Sequence, residues 1–277
     1  MSTLVVVVVL AAAAGHASWN ALAKHAPSPR DAVVVINSSV AILGLVGLLV
    51  VGWPPGLAAA YAVGSSLIHV FYNFLLGSSL AEGDLGQVYP LARGVAPLLV
   101  TLGALVLGHE SLSLTQALGV LVVATGIATV AHPRPGASRR PVGLALATGV
   151  AIAGYSLVDG LGVRQSPDPL RYAALLFLLE GGAVTVIAAP RLRARPPRAR
   201  SVWLGVLAGG LSFVTYVAVL WAQQRAPLGA VSALRETSVV MAALAGIALG
   251  EGDLVWRLGA AVLVASGVSL LLCASVH

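Results

Sequence analysis

Charge is scarce in this chain. Asp, Glu, Lys and Arg make up 9% of its 277 residues, against about 25% in soluble domains. Apolar residues make up 58%, more than a water-soluble core of this size can hide, so the natural solvent is lipid. Cysteine is nearly absent. The single thiol, Cys273, excludes an intrachain disulfide and a cysteine-based metal site. HExxH, GxSxG and any cluster with metal-ligand spacing are missing too. The chain is therefore not expected to be an enzyme, and no catalytic residue, metal ligand or cofactor is assigned. His16 and His69 belong to different expected helices and lack a nucleophile partner. No Lys or Arg precedes the apolar run at 4–17, which reads as a first span and not as a cleaved signal.

Acidic residues are fewer than basic ones, and the net charge is +6. Five of the sixteen basic residues, Arg191, Arg193, Arg195, Arg198 and Arg200, sit together between two apolar runs. Such a cluster reads as a cytoplasmic anchor beside anionic headgroups, and no nucleic-acid partner is expected.

A helix needs about 20 apolar residues to cross roughly 30 Å of hydrocarbon. Pro, Gly and charge divide the chain into ten such stretches, near 4–24, 31–51, 58–80, 87–107, 114–132, 141–163, 169–190, 202–223, 228–249 and 256–275. The expected fold is an all-α integral membrane protein of ten transmembrane helices. Eleven basic residues fall in odd-numbered loops and three, Arg164, Arg171 and Arg225, in even-numbered ones. By the positive-inside rule the odd loops face the cytoplasm and both termini face outward.

The chain also repeats itself. LGQVYPLARGVAPLLVTLGALVLGHE pairs with APLGAVSALRETSVVMAALAGIALGE, and at an offset of 142 Arg93 falls on Arg235 and Gly108 on Gly250. AAGHASWNALAKHAPSP pairs with IAGYSLVDGLGVRQSPDP, placing His16 on Tyr155 and Asn20 on Asp159. The halves are 1–131 and 141–277, joined by a linker at 132–140. Five spans per half make the copies inverted in the membrane, an arrangement from which many secondary transporters are built.

These halves resemble the EamA-type members of the drug/metabolite transporter superfamily over essentially the whole chain. Each half ends, as in that family, in a small-residue helix, LGHE or LGEG, and a final apolar helix. HASWN, YPLARGVAP and LRETS are similar to a subgroup often without an assigned substrate, some members of which are associated with phosphonate use. The resemblance implies ten helices and alternating access by a secondary transporter of a small polar metabolite in the inner (plasma) membrane. It also implies termini in the cytoplasm, contrary to the charge count. A lipid-carrier flippase of the same superfamily is the alternative.

Arg93, Asp159, Glu180, Arg235 and Glu236 fall well inside expected helices. Each costs about 2.5–3.5 kcal/mol at the bilayer centre if unpaired. They must face a polar cavity or pair with one another, and a purely structural salt-bridge cluster is the competing explanation. Residues three or four apart share a helix face. His16 and Asn20 with Trp19 beside them, Tyr155 and Asp159, His69 with Tyr72 and Asn73, Tyr89 and Arg93, and Ser212 with Thr215 and Tyr216 form polar stripes.

The expected substrate site takes His16, Trp19, Asn20, Tyr72, Asn73, Tyr89, Arg93, Tyr155, Asp159, Tyr216, Arg235 and Glu236. Arg93 and Arg235 would hold a carboxylate or phosphonate, since guanidinium binds such groups bidentately. Asp159 or Glu236 would neutralise one arginine or receive an amine. Trp19 and the tyrosines would form walls. Pro97 removes the helical partner of the carbonyl at Arg93, so a break is expected there. Buried carboxylates also make proton coupling an expectation. Gly119, Gly126, Gly259 and Gly267 read as packing positions, while Gly205 and Gly209 form a GxxxG that leaves monomer and homodimer both open.

Overall fold

The computed structural model describes residues 1–82, 85–130, 139–241 and 254–273. Regular structure among them is helical: α1 (Thr3–Lys24), α2 (Pro29–Val51), α3 (Gly56–Glu82), α4 (Leu85–Val106), α5 (Leu114–Val130), α6 (Arg139–Val163), α7 (Pro169–Ala194), α8 (Ala199–Gln223), α9 (Leu228–Arg235) and α10 (Leu254–Cys273). The helices start where the sequence supplies caps. Ser28 and Asp168 accept from the backbone N–H groups of Asp31 and Leu170, each with a proline at the first helical position. Such prolines surrender no hydrogen bond. Ser113 and Gln116 cap α5 reciprocally, each side chain bonded to the other's backbone N–H.

Among the described residues six helices, α1, α2, α3, α6, α7 and α8, are long and apolar enough to cross a bilayer. Shorter apolar helical stretches run over Leu91–Val106, Leu114–Thr129 and Gly259–Leu271. The polarity of a soluble protein is inverted: Leu49 and Leu114 are 78% and 77% exposed, whereas Arg93 and Glu236 are 4% and 0% exposed. Apolar surface on this scale is stable only against lipid. This is a multi-pass membrane protein.

The helices pack in a crossed pattern. α2 lies on α7 and α8, α3 on α6 and α7, α1 on α8, α4 on α5 and α6, and α5 on α10. One apolar core joins Val5 and Val9 of α1 with Val123, Val231, Leu234 and Leu271. A second joins Val40, Tyr172, Leu176, Phe213 and Leu220. Close approach rests on small residues. A Cβ on Gly181 of α7 would lie 2.3 Å from the Asn37 carbonyl oxygen of α2, and one on Gly44 would lie 2.5 Å from that of Ala174. Gly205 and Gly209 are covered by α2 as well, through Val35 and Ser39, which removes them as a dimer face. Gly119, Gly126 and Gly267 seat α5 on α10, but nothing in the described residues approaches Gly259.

Two expectations about backbone breaks reverse. α4 is continuous from Leu85 to Val106 through Pro97. The span expected at 228–249 is interrupted instead: α9 ends at Arg235, Glu236 is its C-cap (φ −72°, ψ −8°), and residues 237–241 resume a helix. That backbone lies toward the bridge region, where a helix tightens and ends. All eight residues of α9 are buried, so it is a central element. α7 also runs past Pro190 to Ala194. Most of the expected 132–140 linker lies outside the described residues.

Candidate functional site

α9 delivers two charges to the middle of the bundle. Neighbouring residues on a regular helix point apart, but the helix ends between Arg235 and Glu236, and their side chains converge. Arg235 donates to Glu236 Oε1 from Nε (3.1 Å) and Nη2 (3.0 Å), and Nη2 also reaches Ser156 Oγ at 3.1 Å. From α4, Arg93 Nη1 donates to both oxygens of the same carboxylate, at 3.0 and 2.8 Å. One carboxylate therefore serves two guanidinium groups, all of them buried.

His16 of α1 completes this group. Its Nε2 lies 3.0 Å from Arg93 Nη2. Arginine only donates, so Nε2 is the acceptor and the ring is the neutral tautomer with its proton on Nδ1. Trp19 meets His16 edge-on at 4.9 Å. Its buried Nε1 has no hydrogen-bond partner among the described residues, as is true of Ser232 Oγ in α9.

A second polar group stands beyond Tyr155. Arg235 lies over the Tyr155 ring, 5.8 Å from its centroid, within range of a cation–π attraction. The other partner of that ring is His69, stacked at 3.9 Å, and Tyr72 meets it edge-on at 5.5 Å. His69 Nδ1 lies 3.0 Å from the Ser65 carbonyl oxygen, and Nε2 faces Tyr216 Oη at 3.5 Å. Asp159 accepts from Tyr172 Oη at 2.9 Å and from Tyr216 Oη. Glu180 of α7 is buried nearby, with His69, Asp159 and Asn73 as its polar neighbours. The two groups adjoin through Tyr155 and draw on six helices and α9, with the arginines on one side and the carboxyl groups on the other.

The structure therefore brings together His16, Trp19, Tyr72, Asn73, Arg93, Tyr155, Asp159, Tyr216, Arg235 and Glu236. Asn20 differs: its amide donates to the His16 carbonyl oxygen at 2.8 Å, satisfied within its own helix. Tyr89 lies in α4, but its side chain falls outside the described residues. Asp159 was one of two candidates to neutralise an arginine; Glu236 holds that place, and Asp159 is held by tyrosines. Four participants stand outside the expected set. His69 sits on the stripe of Tyr72 and Asn73, and Glu180 is a charge inside a span, so both carried a signal. Ser156 is a lone serine, and Tyr172, four residues after a helix-capping Asp, reads as an interfacial tyrosine.

One end of the bundle, where α4, α6 and α8 finish and α9 begins, is bolted. Arg164 Nη2 pairs with Glu110 Oε1 at 2.6 Å. Glu110 also accepts from the backbone N–H of Leu228 at 2.9 Å, and Arg164 donates to the carbonyls of Gln223 and Ala226. The carboxylate thus caps a helix start that Pro227 leaves without a side-chain partner.

No family model and no curated protein match this chain. A solved crystal structure, described simply as that of a protein, superposes with a TM-score of 0.75 at 17% sequence identity, covering 98% of this chain and 98% of its own. At that identity the likeness shows a shared fold. Fold and site together define a multi-pass helical membrane protein with a buried, two-pole charged cluster.

Proposed function

We propose that this chain is a secondary transporter that moves a small anionic or zwitterionic metabolite across the inner (plasma) membrane by alternating access. In this reading it is an EamA-type member of the drug/metabolite transporter superfamily, with ten spans in two inverted repeats. The helix packing supports the repeat. Exchanging α1 with α6, α2 with α7 and α3 with α8 turns the α1–α8 contact into α6–α3 and the α2–α8 contact into α7–α3, and all four contacts are present. The Ser28–Pro29 and Asp168–Pro169 starts are likewise equivalent.

The observation that carries the function is the pair of arginines sharing one carboxylate. Arg93 and Arg235 bring two buried guanidinium groups to one carboxylate, Glu236, an arrangement rich in donors at the centre of the bundle. A carboxylate or phosphonate fits that pole, and guanidinium groups bind both bidentately. Asp159 and Glu180, beyond Tyr155, suit an amine on the same molecule. The bolted end is consistent with a carrier closed on one side.

A thermal-shift screen of amino acids, phosphonates and amines on purified protein tests this reading. A ligand at 100 times its Kd stabilises by about 2.7 kcal/mol, and the shift is expected to vanish in Arg93→Ala. Normal affinity and transport in Arg93→Ala proteoliposomes would remove the arginine pole from the site.

An apolar crevice of about 490 Å³ between α3 and α6, lined by Ile68, Phe71, Leu75, Val150 and Gly154, favours a second reading. It is the kind of lateral opening a lipid-carrier flippase needs, one residue along α3 from His69. Stabilisation by a lipid-linked phosphate, and by none of the soluble panel, is the result expected for it.

A further inference from the structure

We infer that His69, Tyr216 and Asp159 form a proton-binding relay, a site for the coupling ion distinct from the arginine pole. The geometry begins at Ser65. His69 Nδ1 lies 3.0 Å from the Ser65 carbonyl oxygen and 3.2 Å from Ser65 Oγ; the carbonyl only accepts and is the nearer, so Nδ1 carries hydrogen and the hydroxyl is a second acceptor. That assignment turns Nε2 toward Tyr216 Oη, 3.5 Å away. The tyrosine hydroxyl reaches Asp159 Oδ2 on its other side. A hydroxyl has one proton and accepts as well, so the line has two arrangements. In the first, imidazolium Nε2–H points to Tyr216 Oη, and the Tyr216 O–H points to an ionised Asp159. In the second, protonated Asp159 donates to Tyr216 Oη, and Tyr216 donates to the lone pair of neutral His69.

Passage between them balances. The Nε2–H bond breaks as an O–H bond forms on Tyr216, the original Tyr216 O–H bond breaks as one forms on Asp159 Oδ2, and one proton has moved from ring to carboxylate. Tyr216 ends as it began. The His69–Tyr216 gap must close to about 2.6–3.2 Å for transfer, so the relay is assembled and open at one joint in this conformation. The titratable and charged groups facing it are Tyr155 on α6, Tyr172 and Glu180 on α7, and Arg235, with Glu236 and Arg93, across the Tyr155 ring. His69 and Arg235 both lie against the Tyr155 ring, which links the relay to the arginine pole. A proton on Asp159 also removes the charge that would hold an amine, so proton and amine exclude each other. That last consequence rests on the transporter reading; the relay chemistry does not.

The test is infrared difference spectroscopy of the reconstituted protein as pH is lowered, with carboxyl hydrogen–deuterium exchange followed in the same sample. A protonated-carboxyl band is expected in the wild type that is kept in Glu180→Gln and absent in Asp159→Asn. Tyr216→Phe keeps the ring against Phe177 and removes only the hydroxyl, and exchange of the Asp159 proton should slow by about a hundredfold or more. His69→Gln, which severs the line at its other end, should slow it similarly. Wild-type exchange in both variants, or a band that persists in Asp159→Asn, overturns the relay. So does a band that responds to sodium at fixed pH and not to pH itself. In vesicles, uptake of panel compounds should follow an imposed pH gradient in wild type and lose that dependence in Tyr216→Phe. Transport indifferent to the gradient overturns the coupling role. A relay that titrates as expected, in a protein that moves no compound of the panel, overturns the transporter reading alone.

Discussion

Arg93 donates through one nitrogen to both carboxylate oxygens of Glu236, at 3.0 and 2.8 Å, although 143 positions separate the two residues in the chain. The bond ties the fourth helix of the chain to the short central helix α9. The same carboxylate holds Arg235, the residue before it. Everything else at the arginine pole is arranged around that shared anion.

Removing it should be expensive. Glu236→Gln removes the carboxylate charge that both buried guanidinium groups share, and breaking a buried pair from one side costs about 3–5 kcal/mol. A large fall in the melting temperature of the detergent-purified protein is expected. Pairing the change with Arg235→Gln should recover part of the loss, because one of the two guanidinium charges goes with it. An unaltered melt in the single variant would mean that the carboxylate carries little of the balance.

Charge alone should not satisfy the arginine pole. Arg93→Lys keeps a cation but cannot span Glu236 and His16 together, since lysine lacks the fork. Loss of one charge-assisted hydrogen bond of about 1.5 kcal/mol corresponds to about a tenfold weaker anion affinity. Thermal-shift titration with whichever anion stabilises the wild type reads this directly, and equal affinity in the lysine variant contradicts it.

The bolted end offers a test of access. Glu110→Ala removes both the Arg164 ion pair and the cap on Leu228. In a Cys273→Ser background, Ser232→Cys places a thiol at a buried position of α9. An impermeant maleimide should label it about tenfold faster once the latch is cut, the change that follows from losing about 1.5 kcal/mol of closure. Identical labelling rates would show that another contact keeps this end shut.

Two adjacent glycines in α7 should behave in opposite ways. Gly181→Ala drives a methyl into the backbone of α2 at Asn37, and overpacking costs about 1–3 kcal/mol. At Gly182 nothing lies within 4 Å, so alanine meets open space and gains helix propensity of up to about 1 kcal/mol. Melting curves of the two variants should fall on either side of the wild type. A stable Gly181→Ala protein would place the α2–α7 contact elsewhere.

Much of this site is legible along the chain, because charge inside a span is costly and leaves few explanations. Arg93, Asp159, Glu180, Arg235 and Glu236 announce themselves that way, and all five are buried. Helical spacing places His16, Tyr155 and Tyr216 on polar faces. The same spacing misleads at Asn20, whose amide has a nearer acceptor on its own helix. Pro97 misleads too: a proline marks a lost hydrogen bond, but α4 runs on through it.

The sequence by itself determines the solvent, the positions of most helix ends and the identity of the buried charges. Those follow from local quantities: apolar length against bilayer thickness, capping residues, and the cost of an ion in hydrocarbon. Only the tertiary structure decides which charges meet. Glu236 takes both arginines because α9 ends at Arg235, and Asp159 takes Tyr172 and Tyr216 because α7 and α8 bring those hydroxyls to it. Helical periodicity gives each residue a direction but not a partner, and the partner depends on rotations and offsets between helices that no single segment contains.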